Sequence, residues 1–313
     1  MRPVNGLHHI TAISGKAQEN VDFYAGVMGL RLVKKSVNQD DPGTYHLFYA
    51  DAEGHPGTDL TFFPWDQMAP PVQGHGLAVE VALEVPESSL PFWRQRLEKY
   101  GVTFSPIEHR FGKQVLPLID PHGMRVALVA DENRRQFEPW AGSAVPVERQ
   151  VRGLYGARLW ERDAAATASF IEQTLGFEKL AEDNGWTRYG FRNAAGVVDL
   201  RETPSERRGR WGIGAVHHLA WRADDDGHQL AVRQQVEERG VHATPVIDRF
   251  WFKSVYFKEP GGVLFEVATD GPGFAVDEDP AHLGEALLLP PFLQPHRDRI
   301  EAALPPITVP RIS

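Results

Sequence analysis

Two pairs of adjacent histidines open strand-like apolar runs in opposite halves of the chain, His8-His9 and His217-His218. A third apolar run carries a single acid, Glu266. Neutral imidazoles and one carboxylate form the ligand set of a non-haem Fe(II) centre, or of a related divalent centre, with open coordination positions. In an extended strand only one histidine of each pair can face a given side. The predicted chemistry therefore depends on whether three distant strands meet.

The acid Glu266 has apolar neighbours on both sides, Phe265 and Val267. A carboxylate among apolar groups is costly unless it is paired or bound to a metal. A lone strand histidine is more often structural or exposed than a ligand, and Glu266 could be an acid on a solvent-facing edge strand. Two equivalent histidine pairs together with an acid of the buried type favour metal binding over these interpretations.

The sequence repeats a pattern of strand, helix and three strands four times. The segment 21–33 reads as an amphipathic helix, a glycine stop and a strand, and this pattern recurs at 168–180. A second pattern, at 96–102, recurs at 235–241. Glycine just past a helix supplies a left-handed cap at low cost. The repeats predict an α+β fold of four βαβββ modules in two half-domains, at roughly 6–66, 74–131, 151–204 and 214–270.

The same pattern predicts the domain organisation. Residues 1–132 are expected to form an N-terminal domain of two modules, residues 133–150 a linker, and residues 151–270 a C-terminal domain of two modules. Residues 271–313 are proline-rich and are expected to pack as a cap around one short helix at about 293–303.

Aligned modules share geometry but need not share chemistry, so the repeats act as an internal control. At the position of His9, module three has Gly156 and module two has Gly76. At the position of Glu266, module two has Ala127. Ligand-type residues are therefore expected in modules one and four, which would hold the metal between them.

Composition narrows the function classes. The 313-residue chain has a net charge of −9 and no cysteine. A general nucleic-acid binder is not expected without a large basic surface, and disulfides and thiolate metal sites are excluded. No apolar run approaches the ~20 residues that span a bilayer, and no secretory signal is visible. We expect a cytoplasmic protein without membrane partners, whose strand-rich modules could pair into a homo-oligomer.

The motifs resemble the vicinal oxygen chelate superfamily, which includes glyoxalases, bleomycin resistance proteins and extradiol dioxygenases. Within it the resemblance is greatest to ring-cleaving dioxygenases that act on hydroquinones, and it covers essentially the whole chain. The most specific matching segments are 7–11, 22–33, 216–218 and 248–269. The resemblance implies curved mixed sheets, a small aromatic substrate and O₂. It also implies an Fe(II) cofactor, which Mn(II) could replace because ligand type barely separates the two metals.

The resemblance further implies which histidines bind the metal. The ligands carried over are His9, His218 and Glu266. The flanking His8 and His217 would lie at the edge of the site. Histidine titrates near neutral pH, so one of these two would serve as the acid–base group, and the sequence leaves open which.

Three more residues are implied by the same comparison. Arg249 would stabilise negative charge on oxygen or on the aromatic ring. Tyr256 would hydrogen-bond a substrate oxygen, and Thr11 would lie on the strand face of the first ligand. The alternatives are a surface ion pair between Arg249 and Asp248, and a core position for the tyrosine.

Two other functions remain open from the sequence. Asp59 stands at a position that the alignment equates with Glu266, where glyoxalase-type relatives use a glutamate as a fourth ligand. A metal-dependent isomerase or lyase resembling glyoxalase I would use Asp59 in that way. Module three has Asp199 at the same aligned position but lacks the histidine, which favours a structural or outer role for Asp59. The third possibility is a metal-free protein that sequesters a ligand.

Overall fold

The computed structural model describes residues 2–132, 136–192 and 194–310. Met1, the first three residues of the predicted linker, Asn193 and the last three residues of the predicted cap lie outside these described residues. Within the described ranges, no helix is both long enough and apolar enough to cross a membrane. The predicted domain boundaries stay predictions.

The first half of the chain contains two modules, each with one strand, one helix and three further strands. Module one contains β1 (Leu7–Ser14), α1 (Ala17–Val21, continued by a π-helical turn Asp22–Val27), β2 (Arg31–Asn38), β3 (Asp41–Ala50) and β4 (Asp59–Pro64). Module two contains β5 (Leu77–Val85), α2 (Leu90–Lys99), β6 (Glu108–Arg110), β7 (Lys113–Ile119) and β8 (Arg125–Ala130).

The second half repeats this order. Module three contains β9 (Gly153–Glu161), α3 (Ala164–Phe170, continued by a π-helical turn Ile171–Leu175), β10 (Glu178–Asp183), β11 (Trp186–Gly190) and β12 (Val197–Glu202). Module four contains β13 (Val216–Ala223), α4 (Asp226–Glu238), β14 (Ile247–Asp248), β15 (Lys253–Lys258) and β16 (Leu264–Thr269). The tail carries short 3₁₀ turns and α5 (Arg297–Ala303). The predicted α+β fold of four βαβββ modules is confirmed.

Local sequence explains where the helices begin and end. The carboxylates of Asp163 and Asp225 accept hydrogen bonds from the first free backbone N–H groups of α3 and α4, as capping residues do. Gly29 and Gly176, the predicted glycine stops, have φ of 71° and 80°. That left-handed conformation is easily adopted by glycine.

Two mixed eight-stranded sheets organise the modules, and each sheet takes one module from each half of the chain. One sheet, called the 1–4 sheet below, has the order β14-β15-β16-β13-β1-β4-β3-β2. The other, the 2–3 sheet, has the order β10-β11-β12-β9-β5-β8-β7-β6. The strands that open modules one and four are therefore direct neighbours at the centre of one sheet.

An approximate two-fold relation connects these two central strands. β1 and β13 are antiparallel, with His9 opposite Ala220 and Thr11 opposite His218. Each has a parallel neighbour from its own module, β4 beside β1 and β16 beside β13. Because side chains alternate along a strand, this arrangement brings both histidine pairs to the middle of the sheet.

A buried acid in the 2–3 sheet gives a stability prediction. Glu161 is fully buried, and neither of its carboxyl oxygens has a hydrogen-bond partner among the described residues. Burial, and then the nearby Glu259, raises the pKa of Glu161 from 4.5 to about 9. The folded chain therefore binds a proton that the unfolded chain has released, so the free energy of unfolding falls as pH rises through this interval.

We expect the wild-type chain to lose about 4 kcal/mol of unfolding free energy between about pH 6 and pH 9 relative to a Glu161→Gln variant. Glutamine keeps the shape of the acid but does not titrate. Denaturant unfolding followed by circular dichroism at both pH values measures the difference. Parallel pH dependence in the two chains would contradict the prediction.

Candidate metal centre

Three adjacent strands of the 1–4 sheet bring His9, His218 and Glu266 together. Ala220 lies opposite His9 and beside Glu266, and His218 precedes it by two positions on the same strand face. The Nε2 atom of His9 lies 3.1 Å from Nε2 of His218 and 3.3 Å from Oε2 of Glu266. The latter two atoms are 3.0 Å apart. Among the described residues, these three form the one group of potential metal ligands with donor atoms within 4.8 Å of each other.

The three side chains are buried, and their ionisation suits metal binding. Burial lowers the pKa of His218, so its imidazole is neutral at neutral pH. Burial alone would raise the pKa of Glu266, but the adjacent imidazoles of His9 and His218 hold it well below its usual range. A neutral imidazole and an anionic carboxylate are the states in which these groups bind metals.

Hydrogen bonds from outside this group fix the orientation of His9. The Nε2 atom of His8 lies 3.1 Å from the carbonyl oxygen of Thr269, which can only accept, so this nitrogen carries a proton. Burial, and then His9, lowers the pKa of His8 to about 3. The ring is therefore neutral, and its Nδ1 accepts a 2.9 Å hydrogen bond from Nδ1 of His9. With the proton of the His9 contact on Nδ1, Nε2 is the ring nitrogen that faces the ligand group and can bind a metal.

The second histidine pair repeats this contact but has different surroundings. Nδ1 of His217 lies 2.8 Å from Nδ1 of His218. The His217 ring stacks on Trp211 with ring centres 4.3 Å apart, and it lines the adjoining cavity, whereas His8 does not. Of the two predicted acid–base candidates, only His217 therefore faces a space that a ligand could enter. His8 has both ring nitrogens occupied within the protein.

Replacing His8 with phenylalanine is expected to lower the affinity for divalent metal about 10–100-fold, because the ligand histidine loses the acceptor that fixes its tautomer. Titration with Mn²⁺, followed by the loss of the free-ion electron paramagnetic resonance signal, measures this change. His242→Phe is the control, since His242 is exposed on the surface. Equal affinities for all three chains would show that the His8 contact does not matter.

A cavity of about 440 Å³ adjoins the metal-ligand group. Aromatic and aliphatic side chains form much of its wall: Phe48, Phe63, Trp65, Ile247, Trp251, Phe252 and Leu264. The Phe252 ring lies 5.2 Å from the ring of His9, between ring centres. A cavity with apolar walls and a few polar groups is typical of a small-molecule site, and this one suits an aromatic ring.

Arg249 and Tyr256 lie together in the cavity wall. The guanidinium nitrogens of Arg249 lie 2.8 and 3.2 Å from the carboxylate oxygens of Asp40. Its central carbon is 5.6 Å from the centre of the Tyr256 ring, which in turn lies 5.7 Å from the ring of His218. The ion pair of Arg249 is therefore made with Asp40 and not with Asp248.

Asp59 lies opposite His9 on β4 but is not part of the ligand group. Its Oδ1 atom has no hydrogen-bond partner among the described residues. Burial, and then Asp51, raises the pKa of Asp59 well above its usual range. Because Asp59 lies outside the clustered donor atoms, a fourth ligand from this residue has no support in this geometry.

The position equivalent to Glu266 in module one is occupied by Thr61, and the alignment that placed Asp59 there is wrong by two residues. Thr61 lies beside Thr11 on β4, as Glu266 lies beside Ala220 on β16. Thr11 is buried and its Oγ1 lies 2.7 Å from Oγ1 of Thr61. The two threonines therefore border the site on the side opposite to the acid.

The 2–3 sheet tests the internal alignment. Ala82 lies opposite Gly156 and beside Ala127, which repeats the arrangement of Ala220 between His9 and Glu266. The predicted alignment of Gly156 and Ala127 thus agrees with the strand registers. The placement of Gly76 is wrong, because Glu80 stands two residues before Ala82, at the position of a ligand histidine.

Ion pairs surround the corresponding region of that sheet. Arg188 lies 2.7 Å from Asp199, and Arg158 lies 3.4 Å from the same carboxylate. Arg110 pairs with Glu80. The opposite charges of these groups are therefore paired with one another.

Sequence analysis missed His46, a residue of the cavity wall on β3. Its Nε2 lies 3.0 Å from Oγ1 of Thr61, and its ring stacks near Phe48 and Phe63, with centres 3.8 and 4.4 Å apart. Burial, followed by His9 and other nearby charges, lowers the pKa of His46 well below its usual value. A correct strand register would have identified it, because its side chain alternates onto the cavity face of β3.

Four βαβββ modules around a buried group of two histidines and one carboxylate define a vicinal oxygen chelate protein. Residues 6–128 and 156–267 match the model of the Glyoxalase/Bleomycin resistance protein/Dioxygenase superfamily. The chain belongs to this superfamily, and the predicted family is confirmed.

Full-length relatives define the class more narrowly. The chain is 45% identical over 305 residues to a Bacillus subtilis (strain 168) protein named "Putative ring-cleaving dioxygenase MhqO", with 97% of each chain covered. It is 35% identical over 307 residues to a chlorohydroquinone/hydroquinone 1,2-dioxygenase of Sphingobium indicum, with 95% of each covered. A crystal structure of a "putative dioxygenase" from Bacillus subtilis superposes with a TM-score of 0.95 at 42% identity and full coverage of both chains. The predicted dioxygenase class is confirmed.

Proposed function

We propose that this protein is an Fe(II)-dependent dioxygenase that opens the ring of a hydroquinone-like aromatic. The observation that carries the proposal is the buried group of His9, His218 and Glu266 beside a cavity with aromatic walls. Similarity to a chlorohydroquinone/hydroquinone 1,2-dioxygenase over 95% of the chain supports this substrate class.

The three donors fit a divalent metal ion. Their separations of 3.0 to 3.3 Å suit three ligands about 2.1 Å from one ion on one face of its coordination shell. The Oε2 atom of Glu266, which lies near both histidines, is buried and has no hydrogen-bond partner among the described residues. Two histidines and one carboxylate on one face are the ligand set of many non-haem Fe(II) oxygenases. Mn(II) could replace iron in such a site.

The residues of the chain would bind and orient the substrate. When bound, Fe(II) supplies a route for electrons from a coordinated phenolate to O₂, so that ring cleavage needs no external reductant. The aromatic side chains around the cavity would hold the substrate ring in place, and Tyr256 would hydrogen-bond a substrate oxygen. Arg249 would stabilise negative charge on the ring or on oxygen. Orientation of reacting groups in this way lowers the entropic part of the barrier.

The cavity also offers partners for a second substrate hydroxyl. A hydroquinone carries its two hydroxyl groups on opposite carbons of the ring, so only one of them can approach the metal. The hairpin residues Asn38, Gln39 and Asp41 line the same cavity and carry hydrogen-bonding side chains. Polar groups at a few points of an apolar cavity provide substrate specificity.

Anaerobic reconstitution tests the proposal. Protein loaded with Fe(II) would be mixed with hydroquinone, chlorohydroquinone or catechol, and O₂ uptake would be measured with an electrode. We expect uptake with the hydroquinones, at one O₂ per ring opened, and little uptake with the metal-free protein. A glutathione hemithioacetal serves as the comparison substrate. Turnover of the hemithioacetal without O₂ uptake on any diphenol would favour the isomerase. Substrate binding without retained metal would favour a sequestering protein.

A further inference from the structure

The equivalence of modules one and four extends to the strands that flank the ligand group. Phe48 on β3 is the strand partner of Thr61. Tyr256 on β15 is the strand partner of Glu266. The two outer strands therefore keep the same register relative to the equivalent positions Thr61 and Glu266.

Two positions before these strand partners, the modules carry His46 and Ser254, and each makes a diagonal side-chain contact with Thr61 or Glu266 on the inner strand. Nε2 of His46 lies 3.0 Å from Oγ1 of Thr61. Oγ of Ser254 donates a 2.6 Å hydrogen bond to Oε1 of Glu266. The same contact thus occurs in both modules with different side chains.

The sizes of the two contacting side chains are reversed between modules one and four. In module four a small serine supports a long carboxylate that reaches the ligand group. In module one a short threonine is covered by the imidazole of His46, which lines the cavity and packs near Phe48 and Phe63. The ring therefore fills the space that a longer side chain at position 61 would need. Close packing of buried groups leaves little room for both.

We propose that the His46–Thr61 pair determines specificity by excluding a fourth protein ligand from the metal centre. This inference rests on the proposed metal site at His9, His218 and Glu266. Three protein ligands leave about three positions of an octahedral ion open, and substrate and O₂ need those positions. A carboxylate at position 61, supported by a small residue at position 46, would repeat the arrangement of Glu266 and Ser254 and close one of them.

The double variant His46→Ser/Thr61→Glu tests the inference with Mn²⁺ as the probe. We expect Mn²⁺ to bind about tenfold more tightly or better, given that even changes outside the ligand set alter metal affinity 10–100-fold. The longitudinal water-proton relaxation caused by each bound Mn²⁺ should fall by about one third, because about three open positions become two. Both readouts are independent of turnover.

The matched control is His46→Ser/Thr61→Gln, which has the same shape but no ligand charge. It should bind Mn²⁺ more weakly than His46→Ser/Thr61→Glu and keep the relaxation per bound ion of the wild-type chain. Equal values for the two double variants would overturn the proposal. The metal site itself would be refuted if the wild-type chain bound no Mn²⁺, or if Glu266→Gln bound Mn²⁺ as tightly as the wild-type chain.

Thermal unfolding gives a second test that does not depend on metal. In the single variant Thr61→Glu, the retained His46 ring and the new carboxylate compete for one space, so its melting temperature should lie below that of His46→Ser/Thr61→Glu. Contacting residues of this kind are expected to be strongly non-additive. A double variant that melts below the single variant, or that does not fold, would contradict the size exchange on which the proposal depends.

Discussion

A Glu266→Gln chain is expected to lose its bound divalent metal to background and its ring-cleaving activity about 10³-fold or more. Glutamine keeps the length of the side chain, and its amide oxygen can still accept the hydrogen bond from Ser254. The change removes the one negative charge in a ligand group whose other members are His9 and His218. Metal content after gel filtration, measured by inductively coupled plasma mass spectrometry, checks the first part, and O₂ uptake checks the second.

Glu161→Gln is the matched control for this experiment. Glu161 is as deeply buried as Glu266 but lies at the end of β9 in the 2–3 sheet. It should retain metal at the wild-type level. His9→Ala and His218→Ala should each lose metal as Glu266→Gln does. Wild-type metal content in any of these three variants would remove the ligand assignment.

An Arg249→Met chain should retain its metal but lose about 10²-fold or more of kcat/KM for hydroquinone, by analogy with the loss of one charge-stabilising donor. Among the described residues that line the cavity, Arg249 is the one Lys or Arg. Methionine fills the space of the apolar stem and removes the guanidinium. Steady-state O₂ uptake over a range of hydroquinone concentrations measures the effect.

The variant Asp40→Asn distinguishes charge stabilisation by Arg249 from a role in which Arg249 only holds the loop of Asp40 in place. The Asp40 side chain is three-quarters exposed, whereas that of Arg249 is 15% exposed. An exposed ion pair contributes about 0–1 kcal/mol, so loss of the Asp40 charge should reduce kcat/KM much less than Arg249→Met. Equal losses in the two variants would mean that Arg249 acts only by holding the loop of Asp40 in place.

The sequence was sufficient for the fold and for the three residues that the structure brings together. The repeats at 21–33 and 168–180 identified the βαβββ modules because helices and strands carry their own periodicity. Two histidine pairs and one acid were recognisable because each interrupts an apolar strand, where a polar group needs a partner. The family resemblance then selected His9, His218 and Glu266 from the pairs.

The errors in sequence analysis came from strand register. A displacement of two residues keeps a side chain on the same face of a strand, so hydrophobic alternation could not distinguish Asp59 from Thr61. Gly76 was misplaced by four residues relative to Glu80, because it lies just before β5 and the register of that strand is irregular between Ala78 and Glu80. His46 was missed because its role depends on its contact with Thr61, which lies in another strand. Such pairings are long-range, and nothing in the local sequence of either strand reports them.

Because each sheet combines modules from both halves of the chain, the group of His9, His218 and Glu266 cannot be assembled from either half alone. His9 is synthesised more than 200 residues before His218 and Glu266, so the group forms only after most of the chain has been made. Long-range pairing of this kind slows folding. Acquisition of metal would therefore mark the completion of the fold, and a prematurely terminated chain would be released without a centre able to react with oxygen.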